Sequence, residues 1–182
     1  GIAHALARSG SAVTLIESGD EALDRARRRM TDLYEAAVQR GLIEAEVATA
    51  EQDTIRFQTG YDGVEDSGLV IEAVFEDMKI KQDVMKALDL AAPDAVLASN
   101  TSYLDIDLMA ACLADPSRLV GLHFFSPAHI MKLLEIVRGA ATSDRSLATG
   151  YALAKRLRKI PVEVGVCDGF VGNRMLQRVR EA

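Results

Sequence analysis

The chain has little that would let it act on nucleic acid, cross a bilayer or rest on a disulfide framework. Only two cysteines, Cys112 and Cys167, occur in 182 residues. They lie far apart with no metal-spaced partner, which excludes a disulfide scaffold and suits a reducing compartment. With 21 Lys and Arg against 27 Asp and Glu, the net charge is −6, the wrong sign for a phosphate-backbone partner. No apolar run approaches the roughly 20 residues that span a bilayer, so no membrane insertion is expected. Neither a secretory nor a transit pattern is visible, and there is no internal repeat or low-complexity tract. What remains is 49% hydrophobic and 26% charged, enough to bury one substantial core, with a fragment of a second domain.

Both ends read as internal to a longer protein. Gly1 to Arg8 has the pattern of a helix already under way, with Gly10 ending it. Val171 to Ala182 is helical in pattern and stops without a closing signal.

Between the ends, short β-branched or apolar runs alternate with helical periods. A helix over Ile2–Arg8 leads to a strand at Ala12–Ile16 and a long helix from about Asp20 to Arg40. Leu23, Ala26, Met30, Leu33 and Ala37 give that helix one apolar face at three- and four-residue spacing. A helical piece at about Ala45–Ala50 and strands at Ile55–Gln58 and Leu69–Ala73 follow. Next come a helix at about Lys79–Leu90, a strand at Ala95–Ala98 and a helical stretch at Leu104–Cys112. Strands at Leu119–Phe124 and Leu133–Val137, a helix at about Leu147–Arg158 and a strand at Val162–Val164 complete the pattern. This alternation predicts an α/β fold, a mostly parallel sheet with helices on both faces. Ligands of such sheets bind beyond the carboxyl ends of the strands. Glu17, Ala73 to Glu76, Ser99 to Ser102 and His123 all follow predicted strands, and are expected on one crevice.

Several of these residues carry chemistry. Glu17 ends a strand, where an acid can accept hydrogen bonds from an adenosine ribose and repel a 2′-phosphate, favouring NAD over NADP; it also reads as an exposed strand-end glutamate. Arg25, Arg27, Arg28 and Arg29 suit a large anionic substrate, though a solvated helix face explains them more simply. The hydroxyls of Ser99-Asn100-Thr101-Ser102 can hold a substrate oxygen or cap a helix. His123 closes an apolar strand just before Phe124-Phe125-Ser126-Pro127 breaks it. Glu135 sits on the next predicted strand, where its carboxylate could fix the imidazole tautomer and leave a general base. His4 and His129 have no comparable setting. Asp168 reads as the N-cap of a new helix, and Gly169 and Gly172 allow close backbone approach, with Asn173 facing whatever lies opposite.

Four segments together resemble the L-3-hydroxyacyl-CoA dehydrogenase family: Ser99 to Ser102, Leu122 to His129, Met131 to Glu135 and Gly169 to Leu176. They occur in order through nearly the whole chain, and the Ser-Pro-Ala-His wording is also similar to multifunctional fatty-acid oxidation proteins. The resemblance implies a Rossmann-type NAD-binding domain over 1–166, with 167–182 opening an all-helical second domain for substrate and dimerisation. It implies that Gly1 follows a Gly-rich fingerprint and first strand that are missing. His123 would take the 3-hydroxyl proton, Glu135 would orient it, and Ser102 and Asn173 would hydrogen-bond the substrate. Glu17 would take the adenosine ribose of NAD, with Ala73, Glu76, Lys81 and Ser102 along its nicotinamide half. The helices between about Asp20 and Ala50 would help hold coenzyme A. Ser126 stands where many members carry asparagine. The expected partners are an acyl-CoA substrate and a second copy of the chain, or a multifunctional complex, in a bacterial cytoplasm, mitochondrion or peroxisome. Two competing readings are a dehydrogenase of free 3-hydroxy acids and a non-catalytic, crystallin-like relative.

Overall fold

A computed structural model describes residues 1–181; Ala182, the last residue of the expected final helix, lies outside them. The chain divides into two compact units, residues 1–62 with 126–130, and residue 63 onward without that loop.

The first unit carries helix α1 (Ile2–Arg8), strand β1 (Val13–Ile16), helices α2 (Asp20–Gln39) and α3 (Ala45–Asp53) and strand β2 (Ile55–Gln58). β1 and β2 pair in parallel, Val13 opposite Ile55. The apolar stripe of α2 buries Leu23, Met30 and Ala37 as its spacing predicts, and adds Tyr34, which the apolar pattern does not include. Met30 and Tyr34 join Ala7, Val13, Ala48 and Ile55 in the unit's core. α1 and α2 end alike: Gly10 and Gly41 take positive φ, and the following N–H groups of Ser11 and Leu42 reach back to Leu6 and Ala37. Glycine suits that left-handed position because it has no Cβ to clash.

The second unit is built on a five-stranded sheet, β3 (Leu69–Glu72), β4 (Val96–Ser99), β5 (Leu119–Phe124), β6 (Leu133–Arg138) and β7 (Ile160–Gly165), in that spatial order. Helix α4 (Met78–Ala91) follows β3, a short α5 (Ile106–Ala110) follows β4, α6 (Asp144–Arg156) joins β6 to β7, and α7 (Gly172–Glu181) follows β7. Leu97, Leu119, Leu122, Leu134 and Ile136 are completely buried, as the near-continuous apolar strands require. A side chain at Gly121 would run into Val137 and Ile106 of α5, whereas one at Gly150 of α6 would meet Leu122 and Ile136. Because side chains of neighbouring strand residues point to opposite faces, α5 and α6 cover opposite faces of the sheet.

All strand pairs among the described residues are parallel except β5 with β6. The segment from Phe125 to Lys132 is too short for a crossover helix, so β6 must return alongside β5 in the opposite sense. That reversal sets His123 directly opposite Glu135.

Two expected helix starts move. Asp105, not the Ser99–Ser102 stretch, caps α5, accepting from the N–H groups of Asp107 and Leu108. Asp168 caps nothing: Phe170, at φ 48°, closes a turn onto the Cys167 carbonyl, and α7 begins only at Gly172.

Candidate active site

His123, Glu135, Ser102 and Asn173 come together in the second unit. His123 is the penultimate residue of β5, and its Nδ1 lies 2.7 Å from Glu135 Oε2. Both side chains are buried, His123 with 4% of its surface exposed and Glu135 with 1%. Phe125 and Phe170 flank the imidazole, their ring centroids 4.5 and 5.7 Å away. The other Glu135 oxygen, Oε1, accepts from the backbone N–H groups of Val171 (3.0 Å) and Gly172 (2.8 Å). A buried carboxylate is tolerable when its lone pairs are met by such donors. Next to Gly172, the Asn173 amide donates to the Ser102 carbonyl at 3.4 Å, tying α7 to the loop after β4.

That loop is shaped by acids following β3. Glu76 Oε1 accepts from the Thr101 hydroxyl (2.5 Å) and the N–H groups of Ser102 (2.8 Å) and Tyr103 (3.2 Å). Burial works against ionising Glu76, but these hydrogen bonds and the Lys81 ammonium outweigh it and hold the pKa below the usual carboxylate value. Lys81 lies in the first turns of α4 with 1% exposure, its Nζ 3.0 and 2.9 Å from the two Glu72 oxygens, 3.3 Å from the Val74 carbonyl and 3.3 Å from Glu76. Glu72 also accepts from Ser99 Oγ and from the Val74 N–H. Lys81 thus faces two carboxylates from inside the fold, and Glu76 carries the group that meets solvent. Ala73, Val74 and Phe75 stand exposed at the end of β3.

Glu17 belongs to the first unit. It follows β1 half-buried, its N–H donating to the Gln58 carbonyl at 3.1 Å. Ser18, Gly19, Asp20, Glu21, Ala22 and Arg25, immediately beyond it, line a shallow hollow of about 300 Å³. The arginine cluster is a solvated face: Arg25, Arg28 and Arg29 are exposed, and Arg27 lies over the Phe57 ring at 4.6 Å.

Pattern reading gives Glu72 and Phe170 no role, and it names Asn100 and Thr101 only as members of the loop that could hold a substrate oxygen or cap a helix. Asn100 Oδ1 accepts the Phe124 N–H at 2.9 Å, fixing the strand end beside His123. An acid closing the apolar run Leu69-Val70-Ile71, with a lysine nine residues on, is the signal that could have found the Glu72–Lys81 pair. Glu17 in the first unit and Glu76 in the second each place a carboxylate acceptor just after a strand, and each by itself suits a hydroxyl donor of a dinucleotide without a 2′-phosphate.

The family described as "3-hydroxyacyl-CoA dehydrogenase, NAD binding domain" matches residues 1–167. The chain is 41% identical over 177 residues to a peroxisomal bifunctional enzyme of Danio rerio, covering 97% of this chain and 24% of that protein. It is 36% identical over 177 residues to the fatty acid oxidation complex subunit alpha of Colwellia psychrerythraea, again covering 97% and 24%. The chain therefore spans about a quarter of the length of these curated relatives. Among solved structures, the 3-hydroxybutyryl-CoA dehydrogenase of Escherichia coli K12 superposes with TM-score 0.89 at 33% identity, covering 93% of this chain and 36% of that one.

Proposed function

Because this chain belongs to the 3-hydroxyacyl-CoA dehydrogenase family, as its NAD-binding domain, we propose that it oxidises L-3-hydroxyacyl-CoA to 3-ketoacyl-CoA with NAD. The observation that carries this reading is the 2.7 Å contact between His123 Nδ1 and Glu135. With its Nδ1 proton donated to the carboxylate, the imidazole keeps a lone pair on Nε2 for the 3-hydroxyl proton. Glu135 holds that tautomer and offsets the charge of the imidazolium that forms. The Ser102 hydroxyl and the Asn173 amide hydrogen-bond the reacting hydroxyl and the acyl carbonyl. Bound NAD supplies the hydride acceptor for C3. Glu17 would hold its adenosine ribose, and Ala73, Glu76 and Ser102 would lie along its nicotinamide half, with Lys81 acting from behind Glu76. Burial of His123 keeps water from competing for the proton.

The intact set of four side chains supports an enzyme over a non-catalytic relative, and the relatives named for fatty-acid oxidation support a coenzyme A ester over a free acid. Those relatives also support a place for residues 1–166 as the cofactor-binding part of a longer multifunctional or dimeric protein, with 167–182 opening a helical second domain. Its cysteine usage suits a reducing compartment such as a bacterial cytoplasm. No helix of the described residues is long and apolar enough to cross a membrane.

The test is the change in NADH absorbance with acetoacetyl-CoA in the full-length protein. His123→Gln should keep NADH binding and lose at least about 10²-fold in turnover; an unchanged rate removes His123 from its role. Inhibition by free coenzyme A is expected, and its absence would favour a free 3-hydroxy acid.

A further inference from the structure

We infer that Gly172 is a positioning residue of the His123–Glu135 pair, required because only a residue without a side chain lets the start of α7 reach the carboxylate. This rests on the proposed role of that pair.

The carboxylate of Glu135 is divided between two tasks. Oε2 meets His123, and Oε1 takes two backbone N–H groups, from Val171 and Gly172. These donors stand at the start of α7, Val171 just before it and Gly172 its first residue, where N–H groups have no partner within the helix. A helix start that gives two of them to one oxygen fixes the carboxylate rotamer from the side away from the imidazole. The angle at which Oε2 meets Nδ1 then depends on where α7 begins.

The backbone at Gly172 does not have a positive φ, so conformational freedom does not explain glycine there. Space does. A Cβ at this position would stand 2.9 Å from Phe125 Cε1, closer still to Cζ, and 3.6 Å from Glu135 Oε1. The Phe125 ring lies 4.5 Å from the His123 ring, so turning it aside disturbs its contact with the base. A larger residue must therefore displace the phenyl ring that packs on the base or lift α7 off Glu135. Lifting α7 also draws Asn173 from Ser102, its partner at 3.4 Å. One missing methyl group thus fixes the carboxylate, the imidazole and the substrate-binding amide together.

The experiment is a double-mutant cycle in the full-length protein, assayed with acetoacetyl-CoA and NADH. Gly172→Ala should bind NADH within about twofold of the parent, measured by fluorescence, and lose at least about tenfold in kcat, since small misplacements of reacting groups are costly. Leu at position 125 removes the ring atoms that the new Cβ would strike. In the Phe125→Leu background the same Gly172→Ala change should therefore cost less than about threefold. Hydrogen exchange at the Val171 and Gly172 amides should quicken in Gly172→Ala and return toward the parent rate in the double variant. If Gly172→Ala does not fold, a folded double variant still supports the proposal and an unfolded one overturns it. A kcat within twofold of the parent overturns it, as does a loss that Phe125→Leu does not relieve. Neither result touches the reading of His123 as base, which its own variant tests.

Discussion

Glu135 meets His123 as its directly opposed cross-strand neighbour, in the antiparallel register between β5 and β6, with Oε2 2.7 Å from Nδ1. Opposed residues of such a pair have Cβ atoms roughly 5 Å apart, so sheet geometry alone brings the two side chains into reach. Replacing Glu135 with glutamine keeps the shape but offers an N–H to the ring. An amide donating to Nδ1 forces the proton onto Nε2, where the substrate hydroxyl needs an acceptor. Glu135→Gln should bind NADH normally and lose at least about tenfold in turnover. Wild-type activity would reduce Glu135 to a structural residue.

Glu72 and Lys81 form an ion pair in which both side chains are 1% exposed. Removing one partner leaves a buried charge without its main counter-ion, which typically costs about 3–5 kcal/mol. Glu72→Gln should lower stability by that order, because Glu76 alone, partly solvated, cannot replace the lost carboxylate. Adding Lys81→Met removes the orphaned ammonium and should recover part of the loss. Urea midpoints of the parent, both single variants and the double variant measure this. Strict additivity would mean that the two groups do not depend on each other.

The sheet and most of its strands are legible from alternation and apolar runs, and the base pair followed because His123 and Glu135 sit on consecutive strands. Helix ends show where such reading stops. Gly10 announces the end of α1, but α6 ends with Arg158 in the left-handed region, and without a glycine the helical period runs on to that residue. Asp168 looks like a cap because its type favours one, yet Phe170 at positive φ delays α7 to Gly172, an outcome set by packing against His123 rather than by local propensity. The Glu72–Lys81–Glu76 network joins a strand end to a helix start. Such contacts depend on how elements are placed, which no periodicity encodes.

His4 is buried beside Tyr34, and neither ring nitrogen has a hydrogen-bond partner among the described residues. Burial, then the positive charges of His129 and Arg8, lower its pKa from 6.5 to about 4. Below 6.5 the unfolded chain takes up a proton that the folded protein refuses until about pH 4. Stability from this group is therefore complete above pH 6.5 and is lost as the pH falls from 6.5 to 4, up to about 3 kcal/mol. His4→Leu should flatten the decline in urea-unfolding free energy between pH 7 and pH 4.5 relative to the parent. Identical declines would show that His4 titrates alike in the folded and unfolded protein, and the argument would fail.

Arg158 sits at the position that Gly10 and Gly41 occupy at the ends of α1 and α2. Its φ is 52°, its N–H reaches the Lys155 carbonyl, and the Lys159 N–H reaches back to Ala154. The hydrogen bonds satisfy the last carbonyls of α6, but a Cβ in the left-handed region costs about 1–2 kcal/mol. Glycine removes that cost while giving back part of it through the greater freedom of the unfolded chain. Arg158→Gly should raise stability by up to about 1 kcal/mol, read as a higher urea midpoint with an unchanged slope. The exposed arginine side chain makes little packing that could be lost. A lower midpoint would mean that the arginine contributes more through its side chain than its backbone conformation costs.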